Sequence, residues 1–309
     1  MESQARAVRF DGYGGRDVLY VTEVPMPVPG ADEVVVAVRA AAINPGEASI
    51  RSGAFHSQVP AVFPSGEGSD LAGVVVALGD AVDAFAVGDD VLGYSWTRSS
   101  HATHAAVPVS QLIPKPPELS WEVAGSLYVV GCTAYAAVRA VQVQPGDTVA
   151  VSAAAGGVGT IVTQLLAHRG ARVLAVASAA NAEWLTAHGA VPVPYGDGLT
   201  ERLRAAAPDG VDAFIDLFGP EYLDVAVELG IARDRIETII AFPRAGELGT
   251  KADGSGTAST QEVLSEMTGL VAQGVIEVPI AATYPLDEVA QAYAQLEQRH
   301  TRGKIVLIP

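Results

Sequence analysis

TVAVSAAAGGVGTIVTQLLAHRGARVLAVAS, residues 148–178, decides the fold: it reads as strand, tight turn, helix, strand. Pro145, Gly146 and Asp147 ahead of it are turn formers, and the apolar run Val149, Ala150 and Val151 suits a strand buried on both faces of a parallel sheet. Ala154, Gly156 and Gly159 then occupy the positions of a G-x-G-x-x-G fingerprint, with Ala in the first slot. Residues this small let the backbone approach a pyrophosphate lying on a helix N-terminus. Val158, Ile161, Val162, Leu165 and Leu166 recur at helical spacing, and His168, Arg169 and Gly170 supply a last-turn cation and a terminating glycine. Residues 172–177 complete a βαβ unit. Glycine-rich turns occur in many proteins that bind nothing, and a merely tight structural turn is the alternative here; strand before and amphipathic helix after favour a nucleotide site.

Outward from that unit, the next informative place is the end of its second strand. An Asp or Glu there would hold a ribose diol and select NAD. Ala177, Ser178, Ala179, Ala180 and Asn181 are instead small and uncharged. They leave room for a 2′-phosphate and remove the carboxylate that would repel it, so NADPH is the expected cofactor. Its phosphate partners are expected to be Ser178, Tyr195 and an Arg brought in from elsewhere. Ser178 and Asn181 also serve as caps of a following helix in an alternative reading.

At 309 residues, with 49% hydrophobic and 17% charged, the chain has room for two domains with real cores. Lys and Arg number 19 against 35 Asp and Glu, a formal charge of −16 that disfavours nucleic acid and anionic membranes and leaves a small molecule as the expected partner. The single cysteine, Cys132, excludes an internal disulfide framework and any Cys-rich zinc site. No stretch reaches the length of a bilayer span, and Glu2, Arg6 and Arg9 stand where a secretory leader would be apolar, so a cytoplasmic location is expected.

The N-terminal third reads as short strands, residues 7–10, 18–21, 33–42, 71–78, 91–94 and 104–107, punctuated by Gly, Pro and Asp turns and without βαβ rhythm. Around Trp121 the pattern turns Ala-rich and helical. Beyond the fingerprint unit, strands are expected at 191–195, 211–217 and 236–241, and helices at 181–188, 199–207, 222–229 and 261–272. Together these make a doubly wound sheet. Residues 247–259, rich in Gly, Ser, Thr and Ala, read as a long connection, and 278–280, 286–298 and 304–308 as a last strand, helix and strand.

Taken together, Val8-Arg9-Phe10-Asp11-Gly12-Tyr13-Gly14-Gly15, Ala42-Ile43-Asn44-Pro45, Arg51-Ser52-Gly53, Gly68-Ser69-Asp70-Leu71-Ala72-Gly73, Val87-Gly88-Asp89, Gly131-Cys132-Thr133-Ala134-Tyr135, the fingerprint turn and His300-Thr301-Arg302-Gly303-Lys304 span nearly the whole chain. In this order and spacing the chain resembles the medium-chain dehydrogenase/reductase superfamily, specifically the zinc-free quinone oxidoreductase branch that includes zeta-crystallin. The resemblance implies an α/β fold: a Rossmann doubly wound parallel sheet, residues 123–278, inserted into a β-rich GroES-like catalytic domain, residues 1–122 and 279–309. It implies a cofactor in the cleft and a homodimer joined through a Rossmann edge strand, residues 235–240.

Zinc members of that superfamily place a Cys just after the position of Asn44 and a Gly-His-Glu where Gly68-Ser69-Asp70 stands, and they carry a four-Cys structural lobe. None of those ligands is present in this sequence, so no metal is expected. His101 and His104 are the one close histidine pair and fall on a stretch the family uses as cleft wall or surface. Residue by residue, the resemblance makes Gly156, Gly157 and Val158 the pyrophosphate turn, with Ser178 and Tyr195 around the 2′-phosphate. It places Arg299 where quinone reductases carry a phosphate-reaching Arg; a solvated helix end is the alternative. Ala241 and Phe242 end a strand beside the nicotinamide, and Asn44 and the loop to Ser49 face it. Thr133 matches a hydroxyl near the ring, or else caps the helix that follows. The family's lysine near the second strand is missing, its substrate-side Tyr corresponds to Ser49, and the region after Phe242 differs. No general acid is identified; Ser49, Arg51 and Tyr128 are the candidates.

Without a Lewis acid, reduction of an already polarised acceptor is easier than oxidation of an alcohol. The expected reaction is therefore hydride transfer from NADPH to a quinone or α,β-unsaturated carbonyl. The alternatives are an enoyl-thioester or ketone reductase of the same superfamily, or an NADPH-binding protein without turnover.

Overall fold

The computed structural model describes residues 4–309. The chain divides into two compact units. The first comprises the described residues up to Val129 with Thr260–Thr268 and Ile280–Pro309, and the second Val130–Ser259 with Gly269–Pro279. The join lies in the first turn of a helix rather than at the expected 122/123.

In chain order, the first unit opens with strands β1 (Gln4–Phe10), β2 (Tyr20–Pro25) and β3 (Glu33–Ala42). A short helix α1 (Pro45–Arg51) follows, then β4 (Ser65–Gly66), β5 (Asp70–Leu78), β6 (Asp90–Tyr94), β7 (His104–Pro108) and β8 (Leu112–Pro114). β2, β1 and β4 form one antiparallel sheet, with proline-ended β2 at its edge, where a missing N–H costs no ladder bond. β3 is the hub of the larger sheet, pairing with β5 and β7. Valines alternate along it, and Val34, Val36 and Val38 join Leu71, Val75, Val91 and Leu112 in a closed core. This is the expected β-rich, GroES-like part. Helices α2 (Trp121–Ala124) and α3 (Leu127–Ala140) follow.

The second unit is the doubly wound sheet. Strand β9 (Thr148–Val151) leads through the glycine turn into α4 (Gly157–His168) and β10 (Arg172–Ala177). Then come α5 (Ala182–Ala187), β11 (Ala190–Pro194), α6 (Leu199–Ala206), β12 (Ala213–Asp216), α7 (Pro220–Glu228) and β13 (Ile236–Thr238). The strand order is β11-β10-β9-β12-β13, with every pair parallel. The order reverses beside β9, and ligands of such sheets bind outside the carboxyl ends of the strands at that point. β9, β10 and β12 are buried almost throughout, as strands covered by helices on both faces must be. The edge strand β11 carries Pro192 and Pro194.

Beyond β13 the sequence reading departs from the structure. The strand ends at Thr238, not at 241, because the Thr238 hydroxyl accepts the backbone N–H groups of Ile240 (3.2 Å) and Ala241 (3.0 Å) and turns the chain. Ala241 then caps α8 (Phe242–Leu248), whose second residue is Pro243. A proline in the first turn is compatible with a helix, because the N–H it lacks has no partner there. The outer edge of β13 is covered by the chain itself: Lys251 N–H donates to Ile236 C=O (2.9 Å), and Thr238 N–H donates to Lys251 C=O (3.2 Å). The edge expected to join two copies thus already has a partner. Helix α9 (Gln261–Ala272), strand β14 (Ile280–Pro285), helix α10 (Val289–Glu297) and strand β15 (Lys304–Ile308) complete the chain. β14 begins where the expected 278–280 strand ends, and β15 joins β14 to β3.

Candidate cofactor site

The glycine turn is built from missing side chains. Gly156 is the N-cap of α4 and has no side chain to cap it, and Gly156 N–H is itself bonded to Ala153 C=O at 2.9 Å. The first amides of a helix have no partner within it, so Gly157 and Val158 point donors out of its positive end. Those are the groups an anion needs.

The two framework glycines do different work. A Cβ on Gly159 would lie well inside the 3.0 Å limit that real Cβ atoms respect, against Ala153 O and the Ala154 backbone; a Cβ on Gly156 would meet only Ala153 O, at 3.2 Å. Gly159 therefore lets α4 lie on the turn, and Gly156 keeps the outer surface open. The left-handed position of the turn is Ala153 (φ 45°), one residue before the expected first slot, Ala154. Ala154 stays fully buried and donates to Val176 C=O at 3.1 Å.

Behind the turn stands a residue that the sequence did not single out. Asp216, fully buried at the end of β12, accepts hydrogen bonds from Ser152 Oγ (2.7 Å) at the end of β9 and Thr238 Oγ1 (2.7 Å) at the end of β13. It also accepts the backbone N–H groups of Phe218 (3.0 Å) and Gly219 (3.1 Å). One carboxyl thus ties the carboxyl ends of three neighbouring strands. Burial raises its pKa, and the donated hydrogen bonds oppose the rise. Glu237, next to Thr238, is also fully buried. Burial raises its pKa from 4.5 to about 8, although Oε1 accepts Asp253 N–H at 2.6 Å and Lys251 pulls the other way.

The residues expected at the adenosine end follow β10 and β11. Ala177 pairs with Pro194 in the register, so Ser178 and Tyr195 leave adjacent strands side by side. Tyr195 is 50% exposed. Asn181 occupies the N-cap position of α5 but makes no side-chain cap bond to the helix; its Nδ2 donates to Ser178 Oγ at 3.0 Å, leaving the Ser178 hydroxyl proton to be given elsewhere. Thr133 sits well inside α3 and so is not its N-cap, correcting that alternative. Ala241 and Phe242 open α8 instead of closing a strand, the displacement traced above to Thr238; Ala241 is buried and Phe242 is 40% exposed. Arg299 follows α10 in the first unit, exposed and with φ 56°.

Within the first unit, Asn44 is 3% exposed and is occupied by a polar network. Its Nδ2 donates to Glu47 Oε1 (3.2 Å) and Asp70 Oδ2 (2.8 Å), and its Oδ1 accepts from Lys304 Nζ (2.5 Å). Asn44 also opens α1 as a capping box with Glu47. Its side chain holds the scaffold together, and what it leaves facing outward is the start of α1. Arg51 is not a substrate-side group: it is 1% exposed, ion-paired with Glu67, and its guanidinium lies 4.3 Å from the centre of the Tyr293 ring. Burial raises the pKa of Glu67 to about 7 against the pull of Arg51. Tyr128 is likewise buried, its ring stacked at 3.9 Å on that of Tyr94. Ser49 Oγ donates to Pro45 C=O at 3.2 Å.

These residues do not fit a zinc ion. Asp70, standing where a metal-binding carboxylate would be sought, has its oxygens engaged by Asn44, Val129 N–H (2.7 Å) and Lys304 Nζ (3.5 Å). His101, expected at a cleft wall or surface, is fully buried with Nε2 at 3.2 Å from Ala42 O, and burial lowers its pKa, which keeps it neutral. Among the described residues no group of three or more His, Cys, Asp and Glu is placed to hold a metal, and no helix is long and apolar enough to cross a membrane.

A family model described as alcohol dehydrogenase GroES-like domain matches residues 30–117, and one described as zinc-binding dehydrogenase matches residues 188–307. A mouse quinone oxidoreductase is 28% identical, covering 98% of this chain and 97% of its own. The solved Escherichia coli quinone oxidoreductase complexed with NADPH is 26% identical with a TM-score of 0.87, covering 98% of this chain and all of its own. A mycobacterial protein solved as a complex with NADPH is 30% identical with a TM-score of 0.87, covering 99% and 100%.

Proposed function

This chain belongs to the medium-chain dehydrogenase/reductase superfamily, among its quinone-oxidoreductase-like members, and is an NADPH-dependent oxidoreductase; from that premise we propose that its second substrate is a quinone or α,β-unsaturated carbonyl. The observation that carries the proposal is the pairing of an uncapped amide cradle at α4 with a first unit whose carboxylate Asp70 is committed to Asn44, Lys304 and a backbone amide. NADPH supplies a hydride. An alcohol would need its alkoxide stabilised by a Lewis acid before oxidation, whereas a conjugated acceptor arrives polarised.

The chain's own contribution is binding and alignment. Gly157 and Val158 amides hold the pyrophosphate at the end of the α4 dipole. Ser178 and Tyr195 take the 2′-phosphate, and Asp216 keeps the strand ends rigid beneath. Reacting atoms held in place in this way gain more from orientation than from any one acid. A homodimer in the cytoplasm remains part of the proposal, formed through a surface other than the β13 edge, which Lys251 occupies.

The test is oxidation of NADPH followed by absorbance with phenanthrenequinone, small enones, an enoyl thioester and simple ketones. Turnover confined to quinones and enones supports the proposal. Turnover of the thioester or ketone alone moves the chain to the alternative reductase class. Tight NADPH binding with no oxidation across the panel makes it a binding protein.

A further inference from the structure

We propose that Arg202 is the cation of the 2′-phosphate subsite and the residue that sets the preference for NADPH over NADH. The proposal rests on the NADPH reading above and names a residue for it. No Lys or Arg occurs from Ser178 to Ala182, the loop on which a nucleotide-selecting charge is first sought.

The structure supplies one from the neighbouring crossover. Arg202 lies on α6, and its guanidinium is held in the bend that carries Tyr195. Nε donates to Pro194 C=O (3.0 Å), Nη2 to Gly196 C=O (2.9 Å) and Nη1 to Asp197 C=O (2.7 Å). These carbonyls flank Tyr195 on both sides, and Pro194 is the register partner of Ala177, the residue before Ser178. The guanidinium is therefore tied to the end of β11, from which Tyr195 departs, and β11 pairs there with the end of β10, from which Ser178 departs.

Its charge is not spent. A guanidinium has five N–H donors, so after these bonds two are left. Arg202 takes part in none of the ion pairs among the described residues, whereas Arg204, two positions on, faces Glu228 at 3.5 Å. Backbone carbonyls fix its direction without neutralising it. Such a fixed, unpaired cation, held at the bend that carries Tyr195 and next to the strand that leads into Ser178, suits a dianionic phosphate, and its planar fork is already ordered before the ligand arrives. A bare ribose diol gains nothing from it.

Binding of 2′,5′-ADP and of 5′-AMP, measured by isothermal titration calorimetry on the full chain, separates this from a mere loop brace. For Arg202→Gln the expected result is a roughly 10- to 100-fold loss for 2′,5′-ADP with 5′-AMP changed less than about twofold, the loss being that of a charge-assisted hydrogen bond. Arg202→Lys, which keeps the charge and loses the fork, should recover part of the loss. The wild-type affinity for 2′,5′-ADP should fall more steeply with salt than that of Arg202→Gln. Equal losses for both ligands would make Arg202 a brace for the bend, and no loss for either would remove it from the site; both outcomes overturn the proposal. Wild-type protein that binds both ligands equally would instead refute the underlying preference for the phosphorylated cofactor.

Discussion

Two alanine substitutions three residues apart should fail in opposite ways. Gly159→Ala places a methyl well inside 3.0 Å of the Ala153 carbonyl oxygen and the Ala154 backbone. Neither neighbour is a flexible side-chain tip, so α4 must lift off the turn. Overpacking of this kind costs about 1–3 kcal/mol, and the better helix propensity of Ala returns at most about 1 kcal/mol. A net loss of about 2 kcal/mol lowers Tm by roughly 5–10 °C for a unit of this size. Gly156→Ala meets only one atom within 4 Å, at 3.2 Å, and its φ of −72° with ψ of −178° is open to any residue. The apo protein should keep its stability to within about 0.5 kcal/mol, a surface-like effect. The new methyl then stands on the outer surface where the pyrophosphate must approach. Losing one charge-assisted amide contact costs about 1.5–3 kcal/mol, or roughly 10- to 150-fold in the Kd for NADPH. Calorimetric unfolding of the apo forms and a nucleotide fluorescence titration check both. If Gly156→Ala binds NADPH within about threefold of wild type, or Gly159→Ala unfolds with wild type, the division of roles is wrong.

Ala153→Gly should stabilise the protein by about 0.5–1 kcal/mol in chemical denaturation, because relieving a left-handed Ala outweighs the extra chain entropy of Gly. Glu237 should make stability fall with pH. Its carboxyl holds a proton to about pH 8 in the native state but only to its ordinary 4.5 when unfolded. The native state therefore binds more protons between those values, and the unfolding free energy declines as pH rises through the window. Against the surrounding Asp253, Lys251 and Asp216, the ceiling is about 5 kcal/mol at ~1.4 kcal/mol per pH unit. Glu237→Gln should gain on wild type steadily from pH 5 to about 8 in urea midpoints; parallel curves would count against a buried neutral acid. Hydrogen exchange at the Thr238 amide should be independent of protein concentration, since Lys251 of the same chain protects it. Protection that grows with concentration would show a second copy taking over that edge.

The fold was legible because its signals are local and redundant. Residues 148–178 carry a buried strand, a small-residue turn, a helical stripe and a terminating glycine in one reading frame, and each lies where expected in β9, α4 and β10. β3 came out at Glu33–Ala42 from alternation alone. What failed was decided by hydrogen bonds rather than by pattern. Thr238 is a good strand residue until its hydroxyl takes two amides and ends the strand, so that Ala241 and Phe242 open a helix instead of closing that strand. The same holds for Arg51: a charged residue offered as a candidate acid is revealed as internal only by its long-range partner Glu67. The network that Asn44 shares with Asp70 and Lys304 is equally beyond what spacing conveys.

Asp216 marks the limit of what spacing conveys. A cradle made of glycine and alanine has no side chains with which to hold its own shape, so its rigidity must come from beneath. Here it comes from a carboxyl that gathers Ser152, Thr238 and two amides across 64 and 22 residues of sequence. Nothing in the strand pattern distinguishes such an Asp from an ordinary strand-end residue. A hydride donor must be held within a fraction of an ångström of its acceptor for orientation to contribute to rate. The strand ends that Asp216 locks together are the ones from which the pyrophosphate turn and the start of α8 depart. The visible fingerprint therefore specifies the turn proposed to seat the cofactor, and the residue that braces that turn is one that only the fold brings into place.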